Sequence, residues 1–450
     1  MNRWKEFLFD AKCRLFKPAW WRQYHDSLLH DHWSAERLAE YNWQRRLMVL
    51  RFAYENIPYY ERLYRSVGLE PGDVKCEKDW ERVPMLTREA LRFNFEELHV
   101  RQLTPGTYKL YTTGGSTGEP SKVLKDDAFS SVALNWRAKE WAGVSRGCNS
   151  ATIMRTHPMT WAGRLRHFAA WYPSVNLMLD AGCMNEQTMA KFMDEWKRYK
   201  PQTISSYVGG VHQLAVFCLE HNIELPPPKA IFTTAAPLPL STRHTISAAF
   251  RAPVFDNYVA TEAHPMANQC RCLAMDNSGA LHIHSDYRHL EFVDEQGVNV
   301  PQETVGDILV TDLEDRIFPI VRYRLGDRGR LLNRNCACER PYPVMDAVHG
   351  RSFDFIYLEK GRIMGECWAT AFDDCLNAVH NFQIHQAADK SVTLRVVMNK
   401  DYSDAQRCIE RVASNLRSQL GSIPLMLEYC DSIPHNRGKI KYIISDVKDR

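Results

Sequence analysis

Between about residues 108 and 346, short β-branched runs alternate with helical stretches, and this alternation restricts the fold more than any other feature of the chain. Ala230-Ile-Phe-Thr-Thr234, Pro253-Val-Phe-Asp-Asn257 and Asp307-Ile-Leu-Val-Thr311 read as strands, while Glu186 to Tyr199 and Ser241 to Phe250 read as helices. Such alternation predicts a layered α/β domain. Residues 1 to about 100 differ: they are rich in Trp, Arg and Glu at helical spacing, as at Leu47, Leu50, Arg51 and Tyr54, with little strand signal. From about Ser352 the pattern becomes strand, helix Thr370 to Val379, strand Val392 to Val397, helix Ser403 to Leu420 and strand Met426 to Tyr429, a small α+β unit. The expected organisation is therefore a helical region over 1–100, an α/β region over 101–350 and a small domain over 351–450.

A chain of 450 residues, 45% of them hydrophobic, can bury a sizeable core. No run of 18 apolar residues occurs, which argues against a transmembrane segment, and no secretory leader is visible, so a cytoplasmic location is expected. Fifty-seven Lys plus Arg against 54 Asp plus Glu leave a net charge of +3, too even to suggest nucleic acid as a partner. Thirteen cysteines without framework spacing read as reduced thiols, with room for one metal site. Near the N-terminus Trp4, Phe7, Leu8, Phe9, Phe16, Trp20 and Trp21 mix with Lys5, Lys12, Arg14, Lys17 and Arg22, a composition found on interfacial helices. Acidic residues interrupt this segment and Pro18 breaks its helical course, which favours core packing or a partner surface.

The stretch Tyr111-Thr-Thr-Gly-Gly-Ser-Thr-Gly-Glu-Pro-Ser-Lys122 combines glycines, hydroxyls and a terminal cation. Gly114, Gly115 and Gly118 permit tight turns, so successive N–H groups and the hydroxyls of Thr112, Thr113, Ser116 and Thr117 can converge on phosphate oxygens. The spacing is not that of the Gly-x-x-x-x-Gly-Lys loop of common NTPases.

Downstream, in order, come Asn257-Tyr-Val-Ala-Thr-Glu262, Gly306-Asp-Ile-Leu-Val-Thr-Asp312, Tyr323-Arg-Leu-Gly-Asp327, Gly350-Arg-Ser-Phe-Asp-Phe-Ile356 and Ile433-Pro-His-Asn-Arg-Gly-Lys439. With the loop, this series resembles the adenylate-forming superfamily, and within it the phenylacetate-CoA ligase and CapK-type branch. Ala53 to Tyr60, Val83 to Arg88 and Leu281 to His284 add to the resemblance at branch level.

The resemblance implies a large α/β adenylate-forming domain with a helical N-terminal region and a small, mobile α+β C-terminal domain. It implies an AMP-forming ligase that activates a carboxylic acid with ATP and Mg2+ and passes the acyl group to CoA. Transfer to an amine or a carrier-protein thiol, a scaffold that binds nucleotide without turnover, and a homodimer all stay open. In that scheme Lys439 bridges the substrate carboxylate and the nucleotide, Glu262 holds Mg2+ beside Thr261, and Tyr258 lies against adenine next to Asn257. Asp327 accepts the ribose hydroxyls, Arg351 contacts ribose and phosphate, Thr234 and Ala235 line the nucleotide, and Lys122 closes the phosphate loop. The acyl pocket is expected at Tyr207, Gly209, Ala236, Val259 and His264, with His157 and Trp161 as further aromatic surface.

Val259, Ala263 and His264 stand where the branch usually carries glycine, which narrows the pocket and points away from phenylacetate as substrate. Phe353 replaces a polar residue at the hinge, and His435 replaces an Arg of the last motif. Cys270, His282, Cys336 and Cys338 form a set of soft or borderline ligands suited to tetrahedral zinc, matched by a structural zinc site in several members of the branch. Cys272 and His284 compete as ligands, and plain buried thiols are the alternative.

Overall fold

The structure, a computed structural model, describes residues 3–112, 121–128, 131–156, 160–348, 355–359, 362–364, 368, 371–372, 375, 377–433 and 442–447. The chain forms two compact units, Met1–Arg146 with Asn257–Val348, and Gly147–Asp256 with His349–Arg450.

The first unit opens on helices Arg3–Phe16, Pro18–His30, Ala35–Asn56 and Pro58–Ser66. Pro18 stands at the start of the second helix, where its missing N–H costs nothing, and the Ser34 side chain caps the third by accepting from the Arg37 amide. The third helix turns Val49, Leu50 and Ala53 into a core shared with Tyr60, Trp80, Ile308, Val310 and Tyr323. That core lies under an antiparallel sheet of Arg288–Val293, Gly306–Asp312 and Tyr323–Gly329. Arg322, almost fully buried, grips Glu291 with Nε and Nη2 at 2.9–3.1 Å and donates to the carbonyls of Glu81, Val83 and Gly297, so the N-terminal segments are pinned to this sheet. Strands Tyr108–Thr112 and Lys122–Asp126 pair antiparallel, with Thr112 directly opposite Lys122.

In the second unit, parallel strands Asn176–Asp180, Ser150–Met154, Thr203–Tyr207 and Ala230–Thr234 lie side by side in that order, and Val254 to Asp256 pair beyond the last. Helix Glu186–Tyr199 has its ends where the amphipathic pattern predicts them, with a capping box between Asn185 and Thr188, and buries Met189, Phe192, Met193 and Trp196. A four-stranded sheet of Leu425–Tyr429, Val392–Met398, Val379–Gln386 and Ile443–Ser445 packs with helix Ala405–Leu420 around Phe382, Ile384, Leu394, Ile409 and Leu416. Here one expectation fails: Val379 begins a strand instead of ending a helix. The register shifts between Val379 and Asn381, so Val379 stands three residues from Phe382 and the two-residue alternation begins only at Phe382, Gln383 and Ile384.

Candidate functional site

Two of the expected nucleotide-site residues, Tyr258 and Asp327, meet in the first unit. Strand Val254–Tyr258 ends on buried Tyr258, whose hydroxyl donates to Asp327 Oδ2 at 2.9 Å. Asp327 sits on an irregularity of the sheet: the step from Arg324 to Arg328 lies opposite the shorter step from Leu309 to Asp307, and Gly326 takes φ +82° within it. A bulge of this kind re-aims a side chain, and glycine adopts the left-handed backbone without a Cβ clash.

Glu262 is buried, at 9% exposure. Its Oε1 accepts from the Tyr323 hydroxyl at 3.3 Å, and its carbonyl accepts from Lys125 Nζ at 2.6 Å. Burial and the neighbouring Glu262 push the Tyr323 hydroxyl far above its usual range, so it remains a donor. Lys125 also pairs with Asp312 at 3.2 Å and Asp315 at 3.4 Å. Burial would raise the Asp312 carboxyl, but Arg288 at 3.0 Å and Lys125 hold it low. Arg288 reaches on to the carbonyl of His264 at 2.8 Å. The His264 imidazole is pushed down to about 4 by burial and by the charges of Arg288 and Lys125, so it is neutral at pH 7, and its buried Nδ1 has no partner among the described residues. Val259 and Thr261 beside it are half-buried.

Asn257 is held by a directed series of hydrogen bonds. Arg137 donates to His284 Nδ1, which leaves His284 Nε2–H to donate to Asn268 Oδ1, and Asn268 Nδ2 donates to Asn257 Oδ1. His284 is thereby removed from the ligand set: both its ring nitrogens are engaged, and burial with Arg137 nearby keeps it neutral. Cys272, also weighed as a ligand, is exposed on helix Arg271–Met275 and stands outside the cluster.

Cys270, His282, Cys336 and Cys338 do converge, with ligand atoms within 4.8 Å of one another. Cys270 Sγ lies 3.5 Å from Cys336 Sγ, and His282 Nε2 lies 3.2 Å from Cys338 Sγ. His282 Nδ1 faces the Tyr342 carbonyl at 3.3 Å. A carbonyl only accepts, so the proton is on Nδ1 and the Nε2 lone pair points at the thiols, the tautomer a metal requires.

In the second unit Tyr207 and Thr234 are cross-strand neighbours at the carboxyl ends of two parallel strands, the end at which open α/β sheets bind ligands. Thr234 Oγ1 is buried without a partner among the described residues, and Ala235 takes φ +73°, a strained conformation for a residue with a Cβ. Ala236 is half-buried on the same turn, and Gly209 is buried in the first turn of helix Val208–Glu220. Trp161 is 78% exposed. His157, Thr113, Gly114, Gly115, Ser116, Thr117, Gly118, Arg351, Phe353, His435 and Lys439 lie outside the described residues.

Sequence reasoning missed Lys125, Arg137, Asn268 and Arg288. Arg137 lies on helix Ser131–Trp141, which also carries Asn135, Lys139 and Glu140, so its charge did not stand out.

Residues 355–446 match the family model of the CapK C-terminal domain. Protein CapK of Staphylococcus aureus is 24% identical over 405 residues, covering 88% of this chain and 86% of that protein. The phenylacetate-coenzyme A ligase of Escherichia coli K12 is 22% identical over 423 residues, covering 90% and 94%. Among solved structures, 2-hydroxyisobutyryl-CoA ligase in its postadenylation state superposes with a TM-score of 0.72 at 20% identity, covering 92% of this chain and 91% of that one. The fold is that of the adenylate-forming CoA ligases, and the chain's relatives are CapK and the phenylacetate-CoA ligases.

Proposed function

We propose, from this kinship, that the chain activates a carboxylic acid as its acyl-adenylate, releasing pyrophosphate, and then transfers the acyl group to CoA. The observation that carries the reading is the bulge-borne Asp327 carboxylate held by the Tyr258 hydroxyl, with Glu262 buried beside Tyr323 in the same unit. Asp327 would take the ribose hydroxyls, Tyr258 the adenine face, and Glu262, with Thr261 beside it, the magnesium ion on the phosphates. Magnesium keeps most of its waters and asks for only one or two carboxylates. Thr112, Lys122 and the loop between them would grasp phosphate, and Thr234 and Ala235 would line the nucleotide. Arg351 would reach the ribose, and the small domain over 351–450 would bring in Lys439. Tyr207, Gly209, Ala236, Val259 and His264 would bound a narrow acyl pocket. A cytoplasmic setting suits a reaction that consumes ATP and CoA.

Incubated with ATP, Mg2+ and a panel of carboxylic acids, the protein is expected to yield AMP and pyrophosphate. Chromatography showing ADP and phosphate would overturn the adenylation reading. In a second reading of the last step, an amine or a carrier-protein thiol accepts the acyl group. Pyrophosphate release that continues without CoA-thioester formation would select it.

The Cys270, His282, Cys336 and Cys338 cluster fits zinc by its donor set and by the His282 tautomer. Bound there, zinc would tie the segment after Glu262 to the loop before Tyr342, a structural and not a catalytic task. Cys336→Ser is expected to lower both zinc content and melting temperature, because metal-binding free energy at such a site is also folding free energy. Elemental analysis without chelators checks this; substoichiometric zinc in the parent protein, unchanged by Cys336→Ser, would return the cluster to plain thiols.

A further inference from the structure

The first helix, Arg3–Phe16, has two apolar faces, and only one of them is used by the fold. On the inner face Phe9 and Cys13 are buried with Trp21, Tyr24, Ala133 and Trp136, and the Phe9 and Trp136 rings meet edge to face at 5.5 Å. The core-packing expectation therefore holds for this face. Both acidic residues of the helix also turn toward the protein. Asp10 accepts from Arg146 at 2.9 Å and 2.5 Å, and Glu6 accepts from Ser145 at 3.0 Å with Arg146 3.7 Å away.

The outer face is different. Successive helix residues turn by about 100°, so Trp4, Phe7, Leu8, Ala11 and Leu15 fall in one stripe roughly 100° wide. Trp4 is 58% exposed, Phe7 69% and Leu15 73%. On the same helical projection Lys5 and Lys12 border one side of the stripe and Arg14 the other. Because Arg146 holds Glu6 and Asp10 inward, no acidic residue of the helix lies on its outward half.

We propose that this face docks the protein on the surface of an anionic bilayer, the helix lying in the interface with its stripe among the acyl chains and its basic rims at the headgroups. An apolar stripe between cationic borders, with Trp at one end, is the pattern that partitions there. A second copy on the same face would bring two cationic rims together, so charge complementarity selects the anionic lipid. Docking is peripheral, because no helix among the described residues is long and apolar enough to cross a membrane.

The test is co-sedimentation of the full chain with vesicles. The protein should sediment with phosphatidylcholine vesicles containing phosphatidylglycerol, far less with phosphatidylcholine alone, and less in 1 M salt, where the Debye length shrinks to about 3 Å. Lys5→Gln should weaken binding roughly fivefold, the effect of one basic residue near a charged surface. Phe7→Glu with Leu15→Glu should weaken it more than about tenfold, since each buried side chain is worth at least that much. These side chains are exposed, so the melting temperature and ATP-dependent pyrophosphate release should stay at parental values, which separates failure of this inference from failure of the adenylation reading. Absence of binding to phosphatidylglycerol vesicles, or equal binding to neutral ones, would overturn the proposal. So would a parent dimer that Phe7→Glu with Leu15→Glu converts to monomer in sedimentation equilibrium, since a second copy would then be the occupant.

Discussion

Lys439→Ala is expected to slow adenylate formation by roughly two to three orders of magnitude while leaving thioester formation from ready-made acyl-adenylate near the parental rate, a size set by analogy with the loss of one transition-state donor. The asymmetry follows from the charge distribution of the two half-reactions. When a carboxylate attacks the α-phosphate, negative charge gathers on the phosphoryl oxygens, and an ammonium held between the two groups stabilises that arrangement more than the separated reactants. In the second step a thiol attacks a carbonyl and AMP leaves, and the proposed motion of the small domain carries Lys439 away. Lys439 lies outside the described residues, so its role rests on the motif Ile433 to Lys439 and on the kinship. Pyrophosphate exchange and single-turnover thioester formation from synthetic adenylate measure the halves separately. Equal losses in both, with the fold intact, would sink the moving-domain mechanism, and no loss in either would make the motif a basic tail.

What could be read from the sequence was what is local. Helix Glu186–Tyr199 and strand Ala230–Thr234 have their expected bounds because a capping Asn185 and a β-branched run are signals a few residues long. Asp327 was legible only through the motif Tyr323 to Asp327 and the resemblance that motif carries. The supports of the site were not legible. Lys125 meets Asp312 across 187 positions and Arg137 meets Asp286 across 149, and nothing in either neighbourhood announces the partner. The expected helix Thr370 to Val379 overran into the strand Val379–Gln386, because the register shift after Val379 leaves it three residues from Phe382, which is a helical spacing.

The second large effect is expected at Asp286, which supports the site without touching it. Its carboxylate takes both Arg137 Nη atoms, at 2.5 Å and 3.1 Å, and lies 2.9 Å from His30 Nδ1, all in the interior. Burial alone would raise this carboxyl, but Arg137 and His30 overcome it and hold it well below the usual carboxylate range. Arg137, fully buried, also donates to the Tyr342 hydroxyl at 2.7 Å, and the Tyr342 carbonyl is the group that faces His282. Asp286→Ala leaves the buried guanidinium with only Asp31, 4.0 Å away, as counter-charge, and breaking a buried pair in this way costs about 3–5 kcal/mol. Urea denaturation of the parent and variant measures it, and a loss under about 1 kcal/mol would show the pair to be dispensable. Adding Arg137→Met should recover part of the loss, because an apolar side chain of similar length fills the space without a charge to satisfy. Nucleotide affinity should not recover with it. Only Arg137 starts the donor series through His284 and Asn268 to Asn257, so the double variant should regain stability and still bind ATP more weakly than the parent. Recovery of both together would mean that Asn257 is placed by its strand alone and that the buried charge serves folding only.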